Sequence, residues 1–125
     1  MINKVGQIML YVNNQDECMK FWTEKMGFKV ISDEDNGTLR WIEMAPTTEA
    51  QTSIILHNKE LIAKMQPELN LHTPSLMFFA ENLDALYKEF LDKNIKVGDM
   101  VTMPTGKVFN FADNEDNYFA IMEKK

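Results

Sequence analysis

The chain passes through one order of elements twice, and this constrains the fold more than any single motif. Gln7-Ile8-Met9-Leu10-Tyr11-Val12 aligns with Ser75-Leu76-Met77-Phe78-Phe79-Ala80. With no gap, Asn14 then meets Asn82, Asp16 meets Asp84, Lys20 meets Lys88 and Lys25 meets Lys93. One deletion brings Lys29-Val30 opposite Lys96-Val97. Identities between helices arise easily by chance, so the shared order of elements carries the inference.

That order follows from local chemistry. Gly6 to Val12 is apolar and reads as a buried strand. Asn14 is placed to cap a helix, with Glu17 in the capping-box position. Cys18, Phe21, Trp22 and Met26 recur at helical spacing, and Gly27 closes the helix. Phe28–Ile31, Thr38–Met44 and Thr52–His57 read as strands. The turn Asp33–Gly37 and the linker Pro46–Ala50 separate them. Lys59 to Met65 suits a short helix, and Gln66 to Thr73 a connector. The second pass gives a strand at Ser75–Ala80 and an Asn82-capped helix carrying Leu83, Leu86, Phe90 and Leu91. Strands follow at Ile95–Val101, Val108–Ala112 and Tyr118–Met122, with turns at Pro104–Gly106 and Asp113–Asn117. Each half is therefore strand–helix–strand–strand–strand. The reading is a single α+β domain over residues 1–125 made of two βαβββ modules, about 1–66 and 72–125.

Strand alternation puts Gln7, Met9 and Tyr11 on one face, and likewise Ser75, Met77 and Phe79. Ile55 with His57, and Phe119 with Ile121 and Glu123, are further same-face sets. Phe21, Trp22, Phe90 and Leu91 are expected to cover the opposite side. A four-stranded half cannot bury both faces alone, so two halves must pair, within one chain or between two.

Composition excludes several classes of function. The net charge is −6, the basic residues are scattered and Arg40 is the only arginine, which argues against a nucleic-acid partner. No apolar run approaches the roughly 18 residues of a membrane span. The N-terminus lacks a signal peptide's apolar core. Cys18 is the only cysteine. These features point to a cytoplasmic protein with no membrane association. Ten methionines suit an irregular core or an adaptable apolar pocket.

Several stretches carry a family resemblance. Tyr11-Val12, then Phe21-Trp22, then Met26-Gly27-Phe28-Lys29-Val30 resembles the opening signature of the vicinal oxygen chelate superfamily, which includes glyoxalases, bleomycin-resistance proteins and dioxygenases. Arg40-Trp41-Ile42 and Ser53-Ile54-Ile55-Leu56 look like its third and fourth strands. Phe111-Ala112-Asp113 with Asn117-Tyr118 resembles its late F-x-DPDGN/Y segment, with the Pro and Gly replaced. The resemblance implies a curved mixed-sheet cup with the site inside.

Metal-dependent members place ligands on the first and fourth strands of each half, where His, Glu or Gln bind an octahedral divalent ion. By that pattern the positions here are Gln7, Ser75, Ile55 and Ile121, of which only Gln7 can serve. No metal and no cofactor are therefore expected. A shifted set of Gln7, His57 and Glu123, with His72 nearby in sequence, is the alternative and would make the chain a lyase, isomerase, dioxygenase or thiol transferase. Cys18 lies among apolar neighbours rather than in the electropositive setting a reactive thiol needs. Ser75 has no readable His partner, and there is no glycine-rich phosphate loop.

The resemblance then implies a metal-free binding protein, a homodimer by analogy with bleomycin-resistance proteins, that sequesters a bulky or cationic small molecule. Its candidate pocket residues are Gln7, Met9, Trp41, Ile55, Ser75, Met77, Phe109 and Ile121. Gln7 and Ser75 would supply polar contacts, and Trp41 a stacking surface. The other non-catalytic reading is a regulatory partner with an empty cup.

Overall fold

In a computed structural model, which describes residues 1–124, the chain divides into two compact units, Met1–Pro74 and Ser75–Lys125. The first comprises β1 (Gln7–Val12), α1 (Gln15–Lys20) running into a π-helical turn (Phe21–Lys25), β2 (Lys29–Asp35), β3 (Arg40–Ala45), β4 (Ser53–Asn58) and α2 (Lys59–Met65). The second comprises β5 (Met77–Ala80), α3 (Leu83–Asp92), β6 (Val101–Met103), β7 (Gly106–Ala112) and β8 (Tyr118–Glu123). The fold is α+β, with two four-stranded mixed sheets of equivalent order, β1-β4-β3-β2 and β5-β8-β7-β6. In each, the first strand runs parallel to the last, and the remaining pairs are antiparallel.

The helix caps form where the side-chain chemistry places them. Asn14 accepts from the Glu17 N–H, Asn58 from Leu61 and Asn82 from Ala85. Both longer helices end on a residue with positive φ, Gly27 at 76° and Asn94 at 60°. These two are equivalent in the repeat, and they locate its gap. The Met26 N–H reaches the Phe21 carbonyl, and Phe28 reaches Trp22. In α3 the matching bonds run from Lys93 to Glu89 and from Ile95 to Phe90, each one residue shorter. The extra residue of the first half is therefore taken up inside the π turn. Met26, not Lys25, stands opposite Lys93.

In the first unit, Leu10, Val12, Ile42, Met44 and Leu56 are wholly buried on the α1 side of the sheet, together with Trp22 and Cys18. Arg40 fastens that side. Its guanidinium grips Asp33 of β2 through two bonds of 2.9 and 2.8 Å and reaches Asp16 of α1 at 2.8 Å. Gln15 donates to the Arg40 and Leu56 carbonyls, tying the helix start to β3 and β4. In the second unit an aromatic cluster fills the α3 side. Phe109 meets Tyr87 and Phe90 edge-on, while Phe111 packs on Phe78, Phe90 and Phe119.

Two strands differ most from their expected extents. β2 runs on to Asp35 and β3 begins only at Arg40, so the turn is residues 36–39. There the Asn36 side chain accepts from Thr38 and Leu39, and Gly37 takes φ 90°. The strand expected at Ile95–Val101 is broken. Val97 bridges Phe111 and Gly98 donates to Asn110, but regular pairing resumes only at Val101. The Gly98 carbonyl is held by the Tyr87 hydroxyl at 2.9 Å, which draws the backbone toward α3.

Candidate functional site

Residues directly opposite one another in a sheet project from the same face. The register of the first unit therefore defines the face turned away from α1 as rows of side chains. One row is Tyr11, His57, Trp41 and Glu34. The next is Met9, Ile55, Glu43 and Ser32. Gln7 and Ser53 begin a third. Rows lie about 7 Å apart along the strands, and neighbours within a row about 5 Å apart. Of the expected site residues, Gln7, Met9, Trp41 and Ile55 come together on this face. Met9 is 37% exposed, and Ile55, between Met9 and Glu43, is buried.

Tyr11 and His57 stack with ring centroids 5.8 Å apart at 20°. Among the described residues the buried His57 Nδ1 has no hydrogen-bond partner, and burial holds its pKa below the ordinary histidine value. At neutral pH the ring is an uncharged, flat surface. Glu43 is the polar centre of the second row. Its carboxylate accepts from the Ser53 hydroxyl at 2.6 Å and the Ser32 hydroxyl at 3.4 Å. Sequence reasoning passed over Glu43, although a signal was present. In Arg40-Trp41-Ile42-Glu43-Met44-Ala45, alternation sets Trp41 with Glu43 against Ile42 with Met44.

The second unit corrects the expected lining. Met77 pairs with Ala120, and Phe79 with Met122, so these share the face turned from α3. Ser75 lies exposed just before β5. Phe109 and Ile121 pair with each other and, with Phe78, occupy the opposite, α3 side, where each is 2% exposed. They do not share a lining with Met77. The equivalent of Ile55 is Ala120, one residue before Ile121, and a slip of one reverses a strand's faces.

The shifted ligand set fails for the same reason. Glu123 lies on the α3 side, and its carboxylate accepts the Leu83 N–H at 3.0 Å, at the start of α3. His72 is an exposed residue of the connector. Among the described residues, no three His, Cys, Asp or Glu side chains gather to hold a metal ion. The residues present do not fit the octahedral site of the family's metalloenzymes: Ile55 and Ala120 occupy fourth-strand ligand positions, and Glu43 is engaged by two serines.

Residues 4–121 match the sequence profile described as the Glyoxalase/Bleomycin resistance protein/Dioxygenase superfamily. The uncharacterized protein YetH of Bacillus subtilis is 28% identical over 125 residues, spanning 98% of this chain and all of that protein. Among solved structures, TnmS3, an antibiotic binding protein from Streptomyces sp. CB03234, superposes with a TM-score of 0.83 at 21% identity, covering 99% of this chain and 98% of its own. A member of the same superfamily from Sphaerobacter thermophilus gives 0.82 at 20% identity, covering 98% of each chain. At these identities the structures speak for the fold.

Proposed function

We propose, from the premise that this chain belongs to the glyoxalase/bleomycin resistance protein/dioxygenase superfamily, that it is a small-molecule binding protein working without a metal. The observation that carries this reading is the row Tyr11–His57–Trp41 beside Met9 and Ile55, on a sheet face turned away from its helix. Aromatic and flexible apolar side chains with a few placed polar groups make a binding surface. Gln7, Met9 and Trp41 carry the contacts, and Ile55, buried between Met9 and Glu43, forms the floor between them. Ser75 and Met77 hold the corresponding positions in the second unit, with Ala120 and Met122 in place of Phe109 and Ile121. The antibiotic-binding neighbour TnmS3 lends support to this class of activity. A homodimer in the cytoplasm is part of the same proposal.

The test is fluorescence titration of the full chain with planar hydrophobic compounds of the anthraquinone type. Saturable quenching that disappears in Trp41→Phe is expected. No saturable binding across the panel, or stoichiometric divalent metal in untagged protein that is lost on His57→Ala, would overturn the reading.

A further inference from the structure

We propose that the face of the first unit turned from α1 is built for a planar cation, with the Glu43 carboxylate as its charge partner and Tyr11, His57 and Trp41 as its stacking surface. This deepens the binding reading above and rests on it.

Several carboxylates of the chain have a cation beside them. Asp16 and Asp33 are paired with Arg40, Asp84 with Lys107 and Asp116 with Lys96. Glu43 is half-buried, and among the described residues no lysine or arginine pairs with it. Its polar partners are the hydroxyls of Ser53, itself buried, and Ser32. Two hydroxyl donors fix the orientation of a carboxylate and occupy part of its acceptor capacity, leaving room for a charged N–H donor. A serine-held anion next to buried Ile55 is an arrangement that sheet stability does not require, because an apolar residue there would extend the core.

The surroundings agree in sign and shape. Glu34, in the Trp41 row, adds a second negative charge. The register places one ammonium on this face, that of Lys29, opposite Ala45 and on the far side of Glu43 from Trp41. His57, kept neutral by burial, adds no opposing charge. Trp41 follows Glu43 at the two-residue spacing of one strand face, about 7 Å away. A flat ring lying on the aromatic row can therefore present an attached or ring nitrogen to the carboxylate. Indole and phenol faces attract cations through their quadrupoles, so stacking and charge pairing favour the same ligand.

Three tricyclic probes of one shape separate charge from shape: aminoacridine, protonated at neutral pH, acridine, kept neutral in slightly alkaline buffer, and anthracene carboxylate, an anion. They are titrated into the full chain at raised salt, which screens the acidic outer surface. The expected order is aminoacridine, then acridine, then anthracene carboxylate, with the cation favoured over the neutral ring roughly tenfold, the equivalent of about 1.4 kcal/mol. Glu43→Gln is expected to bring aminoacridine down to the affinity of acridine and to leave acridine unchanged.

Equal binding of the cation and the neutral ring by the unaltered protein overturns the inference while the binding reading stands. So does a preference that survives in a folded Glu43→Gln protein. If none of the three probes binds, both fail together. Should Glu43→Gln not fold by circular dichroism, the order measured on the unaltered protein decides.

Discussion

At the scale of residues, what matters is which side of its strand each side chain takes. Phe109 and Ile121 look like pocket residues from their neighbourhood in the sequence, yet both are buried against α3. Ile121→Ala is expected to lower stability by about 2–5 kcal/mol. Met77→Ala, 47% exposed on the other face, is expected to cost under about 1 kcal/mol. Urea unfolding of both variants makes the comparison, and equal losses would contradict the assigned faces.

His57 gives a pH dependence whose sign is fixed. Its folded pKa lies below the ordinary value, so the unfolded chain takes up the proton first as pH falls. The contribution is fully present above about pH 6.5 and is lost between that value and the lower folded pKa. His57→Phe is expected to show a shallower fall in melting temperature with acidification than the parent. The two curves should run parallel above neutrality.

At the scale of elements, much was legible. Asn14 and Asn82 announce helix starts because their short side chains satisfy the first free N–H groups, and both do so. The repeat also announced that each half has the same elements in the same order. Less legible was the fourth-strand register. Ile54-Ile55-Leu56 and Phe119-Ala120-Ile121 are both nearly continuous apolar runs, so periodicity cannot tell one face from the other. Only the pairing of Met9 with Ile55 and of Met77 with Ala120 does. Glu43 escaped notice because a lone carboxylate on a strand reads as solvent-facing until its serine partners are brought beside it from β2 and β4.

The π turn was visible in the sequence only as a one-residue gap. Because Trp22 within it and Gly27 after it have counterparts in Phe90 and Asn94, removing Thr23 should leave both anchors in place. The Thr23 deletion is expected to keep a cooperative melt, lowered by roughly 5–10 °C. Deleting Lys88 from the regular α3 turns Phe90 out of the core by about 100° and is expected to abolish cooperative unfolding. Calorimetry on the two deletions distinguishes these outcomes, and similar losses would remove the equivalence.

At the scale of the whole molecule, the largest exposed apolar side chains of the described sheets belong to the second unit: Phe79, Tyr118, Val101 and Met77. Apolar patches that a soluble chain leaves open are common sites of association. The homodimer proposed above is expected to appear as twice the 14.5 kDa chain mass in light scattering at micromolar concentration. Replacing Phe79 and Met77 with Gln is expected to shift it toward monomer, and a chain that scatters as a monomer throughout would refute it.

The parallel pairing of first strand with last also governs the timing of synthesis. β1 must wait for Ser53–Asn58 before its edge is satisfied, and β5 must wait for Tyr118–Glu123. A chain emerging N-terminus first can thus finish one sheet while the other does not yet exist. Met77-Phe78-Phe79 then stays an unpaired apolar strand until some forty residues later, the interval from β5 to β8. During that interval the nascent chain carries exposed apolar surface, as it does earlier while Ile8-Met9-Leu10 of β1 waits for β4.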